Sequence, residues 1–452
     1  MKVTRARRIA FEVLRRVEVE SAYAAELLHA RLRGVEHKDA ALATEVTLGV
    51  LRWRRLLDFL LERHISQPLN KLDLEVLLAL RMGLYQLRHL SRIPARAAVN
   101  ESVELVKAAK KSSAARLVNA VLRRATETAQ EPAEELIPAG LPVAERLGIL
   151  YSHPTWIVRR WLDFFGEART AALLEANNRP HRVICIVEDQ ERVAQVAESL
   201  RKAGLSVAPG RLLRSALVVG GGDPARAEAF RRGSISFQSE ASHLVALLVD
   251  VQPGQSVLDL CAAPGGKTAV LARAAGRGAL IVAADNHLHR LRAMRENLER
   301  IGATHLHLAT LDATAPLPFS TEFDRILVDA PCSGTGTLAA NPEIRWRLCP
   351  EDLADFHRRQ ADLLSHALDQ LAPGGRLVYS TCSLEPEENE NVAAEILAKR
   401  RDVRCVSGAA ALAPHLREGV RPESLVGSDD YFRTFPPEHD TDGFFAAVLE
   451  RR

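Results

Sequence analysis

Two thiols and a carboxylate stand out by type and position. Asp329-Ala330-Pro331-Cys332-Ser333-Gly334-Thr335-Gly336 follows the apolar run Ile326-Leu327-Val328, which reads as a buried parallel strand. A carboxylate and a thiol three residues apart thus lie at the carboxyl end of a strand, the edge where ligands of open α/β sheets gather. Cys382 follows a second such strand, Gly375 to Thr381, and an acidic, glycine-rich turn, Asp259 to Thr268, follows a third. Two thiols and a cofactor-type loop at one sheet edge point to covalent chemistry on a bound substrate.

The loop Cys261-Ala262-Ala263-Pro264-Gly265-Gly266-Lys267 admits three readings. A dinucleotide fold wants G-x-G-x-x-G, which is absent. A phosphate-binding loop wants glycine five places before Gly266, where Cys261 stands. The third reading is S-adenosylmethionine: small residues let the backbone approach the amino-acid end of a cofactor that carries no phosphate. An acid ending the next strand can hold ribose hydroxyls, as on the dinucleotide fold. Asp285, after Ile281-Val282-Ala283-Ala284, occupies that place, and Asp312, after the third strand, can reach an adenine edge. Any one of these acids alone is as well explained as a helix cap; three strand-end acids together with Asp329 are not.

Carbon 5 of a pyrimidine is a weak nucleophile, so methylating it is hard. A thiolate that adds to carbon 6 turns the ring into an enamine, and carbon 5 can then attack a sulfonium methyl. A base afterwards removes the carbon 5 proton and the thiol is expelled. A free thiol is only a few per cent ionised at neutral pH, so a nearby cation helps. Lys267 is the nearest cation in the motifs and can alternatively hold the base. Asp329 can bond the ring nitrogen edge and stabilise its protonated form. The order of the residues does not say which thiol attacks.

These residues need elements to hold them. Strands are expected at 256–260, 280–284, 305–309, 325–329 and 376–381, with helices at about 267–275, 287–301 and 353–371 and a last strand at 444–449. That alternation predicts a parallel, doubly wound Rossmann-like domain over 238–452, with an irregular insertion at 407–430. Residues 151–237 read as β-α-β-β-α-β, a small α+β module of RRM or ferredoxin-like type. The stacking aromatics of an RNA-recognition sheet are missing from it, so it is expected to pack or orient. Residues 131–150, with Pro132, Pro138 and Pro142, are expected as a linker. Residues 1–130 show helical periodicity, as in Ile9, Val13, Leu14 and Val17, and predict a helical bundle.

That bundle is basic. Residues 1–130 carry 24 Lys and Arg against 14 Asp and Glu, on a chain whose net charge is only +3. A basic third on an acidic body predicts a polyanionic partner. The composition, 47% hydrophobic and 26% charged, is that of ordinary globular protein. No apolar run approaches the roughly 18 residues of a membrane span, and the first residues have no signal-peptide pattern. A cytoplasmic protein is expected. The six cysteines form no Cys-x-x-Cys pair or zinc spacing, so no metal is expected. Cys185 lies in an apolar strand and reads as core; Cys349 and Cys405 read as structural.

Asp-Leu-Cys-Ala-Ala-Pro-Gly-Gly-Lys-Thr (259–268), Asp-Ala-Pro-Cys-Ser-Gly-Thr-Gly (329–336) and Ser-Thr-Cys-Ser (380–383) resemble the signatures of the RNA cytosine-5 methyltransferase family, as do Asn341-Pro342-Glu343-Ile344-Arg345-Trp346 and Thr441-Asp442-Gly443-Phe444-Phe445. The resemblance covers about residues 235–452. It implies that Cys382 is the nucleophile and that Cys332 assists product release. It also implies cofactor contacts from Cys261 to Lys267 and from Asp285, Asp312 and Asp329. The helical N-terminus resembles the NusB RNA-binding fold, and the combination is similar to the bacterial small-subunit ribosomal RNA methyltransferase B group (Sun/Fmu). The implied substrate is a cytosine of 16S ribosomal RNA; the sequence does not give the oligomeric state, and a monomer is expected. The family form Arg-Arg-x-Pro-Asp is replaced by Ala339-Ala340-Asn341-Pro342-Glu343, which bears on any RNA contact there. Two rivals remain: a tRNA cytosine methyltransferase with the same chemistry, and a non-catalytic RNA-binding or assembly factor. The two thiols and all the strand-end acids argue against the second. A DNA cytosine methyltransferase has no use for the second thiol.

Overall fold

The computed structural model describes residues 3–20 and 22–452. The chain divides into two compact units. One comprises the residues up to Pro180 together with Leu338–Leu348; the other comprises His181–Thr337 and Cys349–Arg452.

The first unit is helical. The helices Arg5–Glu20, His37–Glu62, Leu74–His89, Ala95–Ala108 and Ala115–Thr128 turn their apolar stripes onto one core, which follows from their 3.6-residue periodicity. Two of its buried arginines are held by carboxylates. Arg7 meets Glu101 at 2.9 Å and Gln86 at 2.6 Å, and Arg81 grips Asp58 with two bonds of 2.7 Å. Residues 131–150, expected as a linker, instead carry the helices Ala133–Leu136 and Val143–Leu150. Ala133, Ile137 and Ile149 join the core of the helical unit; the prolines start helices here rather than break them, Pro132 and Pro142 each standing at an N-cap. The helix Thr155–Ala176, expected to open the α+β module, also belongs to this unit, with a break at Gly166 where φ is 73°.

The chain returns to the helical unit over Leu338–Leu348. Arg345, fully buried, donates to the carbonyls of Ser152 and Asn177 at 3.2 Å, to Leu338 O at 3.3 Å and to Asn178 Oδ1 at 2.9 Å. Trp346 Nε1 donates to Leu51 O at 2.6 Å, and Ala24 N donates to Glu343 Oε1 at 2.9 Å.

The second unit holds two sheets. Strands β1 (Val183–Val187), β2 (Ser206–Pro209), β3 (Ala216–Gly220) and β4 (Ile235–Phe237) form an antiparallel sheet in the order β2-β3-β1-β4, the ferredoxin-like arrangement. The larger sheet contains β5 (Val257–Leu260), β6 (Ile281–Asp285), β7 (His307–Thr310), β8 (Phe323–Asp329), β9 (Leu371–Thr381), β10 (Val403–Val406) and β12 (Phe444–Arg451), in the order β10-β12-β9-β8-β5-β6-β7; β11 (Phe432–Thr434) pairs with β12. Strands β5 to β9 are parallel, and the β12 pairings are antiparallel. The order reverses between β5 and β8, so their carboxyl ends open a crevice at a topological switch point.

The small sheet is fixed to the large one. Glu240, 2% exposed, accepts from the backbone N–H groups of Arg211, Leu212 and Leu213 at 2.7–2.9 Å. The expected irregular insertion at 407–430 contributes Leu412, Leu416, Leu425 and Val426 to the core beside the sheet.

Candidate active site

Register brings the sequence motifs together. Asp329 and Ser380 are paired across β8 and β9, so the residues just beyond them leave the sheet side by side. Cys332 Sγ and Cys382 Sγ lie 3.2 Å apart, and Cys382 N–H donates to Cys332 Sγ at 3.3 Å. The thiol of Cys332 is held well above its ordinary range, first by its hydrogen bond with Cys382, then by burial. It therefore keeps its proton, which it shares with Cys382 Sγ. Gly336 lets the loops meet. Its N–H donates to Cys382 O at 2.9 Å and its carbonyl accepts from Gly443 N at 2.8 Å, and a Cβ there would lie 2.1 Å from Gly443 O.

Asp329 is bonded on both oxygens: Lys267 Nζ at 2.7 Å and Ser380 Oγ at 2.9 Å. Lys267 also lies 5.2 Å from the centre of the Phe444 ring. Its ammonium is thus committed to the carboxylate of the motif. Asp329, Lys267 and Phe444 border a cleft of about 250 Å³, shared with Phe237, Ser239 and Asp442. Burial raises Asp442 above the usual carboxylate range, against the opposing pull of His181, Ser239 and Lys267.

The loop after β5 divides this cleft from a second one, lined by Cys261, Asp285, Asn286, Arg290 and Asp312. Cys261 borders both and has φ 63°; burial, with Asp329, Asp285 and Asp259 nearby, pushes its thiol up and keeps it neutral. Ala262 and Ala263 are buried and Pro264 is exposed. Gly265 turns the chain into the helix Gly266–Ala275 at φ 96°. Asp285 accepts from Ala263 N at 3.3 Å and His287 N at 3.0 Å and meets Arg290 at 3.3 Å. Asp312 is exposed, and two hydrogen bonds from Thr314 lower its pKa.

Asp259, 1% exposed, accepts from Thr268 Oγ1 at 2.5 Å through one oxygen. Its other oxygen has no hydrogen-bond partner among the described residues. Burial raises this carboxyl to about 7. An orphaned buried acceptor at the cleft edge and a ring of strand-end acids, with Lys267 and Arg290 the only cations among the described residues lining the two clefts, fit a cationic sulfonium cofactor with an amino-acid end and ribose hydroxyls.

The sequence motifs did not single out the network behind the thiols. Glu388, fully buried, accepts from Ser333 N at 2.8 Å, Ser383 Oγ at 2.6 Å, Gln360 Nε2 at 3.0 Å and Ser333 Oγ. It ties the loop of Cys332 to the loop of Cys382. Its only signal in the sequence is the acidic run Glu385-Pro386-Glu387-Glu388, which reads as solvated surface. Among the described residues no cluster of three metal-ligating side chains occurs, and no helix is long and apolar enough to cross a membrane.

Residues 246–450 match the family described as 16S rRNA methyltransferase RsmB/F, residues 4–127 the NusB family, and residues 153–224 the ferredoxin-like domain of RsmF/B-like methyltransferases. The chain is 33% identical, over 100% of both chains, to the probable ribosomal RNA small subunit methyltransferase B of Bacillus subtilis. It is 34% identical to the ribosomal RNA small subunit methyltransferase B of Pseudomonas putida, over 90% of this chain and 92% of the other. The crystal structure of PH0851 is similar with a TM-score of 0.82 at 25% identity, covering 99% of this chain and 98% of that one. A methyltransferase homolog protein from Pyrococcus horikoshii matches with a TM-score of 0.58 at 28% identity, over 69% of this chain and 100% of that one. With its NusB-like helices, ferredoxin-like module and Rossmann-like sheet, the chain belongs to the ribosomal RNA small subunit methyltransferase B family of S-adenosylmethionine-dependent methyltransferases.

Proposed function

We propose that the protein methylates carbon 5 of a cytosine in 16S ribosomal RNA, in the cytoplasm, through a covalent adduct of Cys382 with carbon 6. The observation that carries this reading is the pair of thiols 3.2 Å apart at the ends of adjacent parallel strands. One thiol suffices for attack; a second beside it has a use only where the adduct must also be resolved.

When bound, the cofactor supplies an electrophilic methyl group; Cys261 to Lys267 with Asp259, Asp285 and Asp312 would hold it. Asp329, fixed by Lys267 and Ser380, bonds the nitrogen edge of the ring. The target base must leave its stack to reach this depth. As the Cys382 sulfur bonds carbon 6, the displaced electron pair makes carbon 5 nucleophilic. After methylation a base takes the carbon 5 proton, its electron pair re-forms the ring double bond, and the S–C6 bond breaks. Cys332 is that base. The leading cause of its raised pKa is the Cys382 thiol. Once that sulfur is bonded to carbon, the leading cause is gone, although burial remains; Cys332 then passes its proton to solvent water and, as the thiolate, takes the carbon 5 proton. The two thiols therefore work in sequence.

The test is methyl transfer from labelled cofactor to unmodified 16S rRNA, tRNA and DNA in parallel, with the labelled base identified, using wild type, Cys382→Ala and Cys332→Ala. The expected result is 5-methylcytosine in the rRNA, no turnover with Cys382→Ala, and a stable protein–RNA adduct with Cys332→Ala. Normal turnover by Cys382→Ala would sink the assignment; label in tRNA alone would overturn the substrate.

A further inference from the structure

We propose that Phe237 is a stacking platform for an unpaired RNA base adjacent to the target cytosine, a role that rests on the proposed function. Phe237 ends β4 and is 42% exposed. It lines the same cleft as Asp329, Lys267 and Asp442. A single exposed aromatic needs no explanation; this one is built from behind. Its ring stacks on Phe230 with centroids 4.8 Å apart and an interplanar angle of 12°. Behind Phe230, the Arg300 guanidinium lies 3.8 Å from the ring centroid. That guanidinium cannot swing away: it donates to Phe230 O at 2.7 Å, Ile235 O at 3.0 Å and Asn297 Oδ1 at 2.7 Å. The backbone of Gly233 presses on the same helix end, where a Cβ would lie 2.1 Å from Arg300 O.

The result is a three-layer stack of cation, ring and ring, fixed before anything binds. Alternation along β4 puts Phe237 on the same side as Ile235, which packs on the helix side of the small sheet. The platform is therefore not that of an RNA-recognition sheet, which explains why a search for sheet aromatics misses it. Preorganised aromatic rings hold single-stranded bases by stacking, without regard to sequence, and a cation behind the stack adds to it. The cofactor's adenine does not need this ring. The strand-end acids Asp285 and Asp312 lie on the other cleft, beyond the loop after β5. A cytosine drawn to the thiols leaves its neighbours unstacked, and Phe237, on the cleft it shares with Asp329, offers one of them a replacement partner.

The test uses the full chain with Phe237→Ala and Phe237→Trp, an oligocytidine RNA and the unmodified 16S rRNA transcript. Phe237→Ala is expected to weaken oligocytidine binding, and to raise the KM for rRNA, on the order of 5- to 30-fold, with kcat, cofactor affinity and melting temperature unchanged. Phe237→Trp is expected to restore binding and to show fluorescence quenching on addition of RNA. Wild-type RNA affinity in Phe237→Ala would overturn the proposal. So would a loss of cofactor affinity instead, which would assign the ring to the cofactor. If the wild type methylates no RNA, the proposed function fails, while the oligocytidine comparison still decides the role of Phe237.

Discussion

Replacing Glu388 separates holding the fold from aiming the thiols. In Glu388→Ala four hydrogen bonds are lost. The Ser333 and Ser383 hydroxyls, 3.0 Å apart, can turn to each other, and Gln360 keeps its bond to Pro331 O at 2.9 Å. That leaves the Ser333 N–H and one Gln360 N–H without an acceptor. At about 1–3 kcal/mol for each buried donor, the variant should lose roughly 2–6 kcal/mol. Glu388→Gln behaves differently. Its amide nitrogen can face the two hydroxyls, which accept as well as donate, while its oxygen keeps Ser333 N and Gln360. Only the charge assistance goes, about 1 kcal/mol. Loss of the tie also frees the two loops against each other, and a misplacement of about 1 Å at a reacting centre costs on the order of 100-fold in rate. Glu388→Ala should therefore show kcat down about 100-fold in single-turnover methyl transfer well below its melting temperature. Glu388→Gln should fall no more than about 10-fold. Cofactor affinity should be unchanged in both. Wild-type kcat in a folded but less stable Glu388→Ala would refute the positioning argument and leave a purely structural role.

Asp259 makes cofactor binding pH-dependent. With its carboxyl raised to about 7, it is largely neutral below that pH, and a cationic ligand binds better as it ionises. Affinity should rise with pH through about 7 and then flatten, and Asp259→Asn should abolish the rise in calorimetric titration. The sign for stability is opposite. The folded state binds more protons than the unfolded between about pH 4 and 7, so stability without cofactor falls across that window, and falls less in Asp259→Asn. Arg345→Ala should cost the helical unit at least about 3 kcal/mol, because buried packing is lost and several carbonyls lose their donor; thermal melting reads this. Gly336→Ala puts a methyl group against the Gly443 carbonyl, 2.1 Å away, and should cost about 1–3 kcal/mol while lowering methyl transfer with cofactor binding intact.

The thiols, Asp329 and the cofactor loop were legible because each needs a particular residue type at a strand end, and strand ends are local features. Glu388 was not. In sequence it sits in an acidic run, and only the inward turn after β9, with Ser333 and Gln360 arriving from distant segments, shows it buried. Residues 131–150 misled for a related reason: their prolines are as compatible with helix starts as with a linker, and the choice is made by the apolar surface that receives Ala133 and Ile137. β9 begins at Leu371 rather than 376, because Ala372-Pro373-Gly374-Gly375 looks like a turn until its partner strand is known. Arg345 belongs by sequence to a catalytic-domain signature, but its partners in the helical unit are nearly 200 residues away in sequence, beyond what periodicity can register.

The return of Leu338–Leu348 to the helical unit makes the molecule resistant to being taken apart. A fragment ending at Pro180 would lack Arg345 and Trp346 and would keep the empty seat they fill. A fragment starting at His181 would carry that buried arginine and tryptophan with nowhere to put them. The helical part is thus not a cassette that can be removed or exchanged by cutting the chain once. Circular permutation or a two-piece coexpression would have to respect three crossings of the chain, two of which lie on the path between the two thiols. Transplanting the helices of a relative onto this catalytic sheet would succeed only if the eleven-residue insert travelled with them.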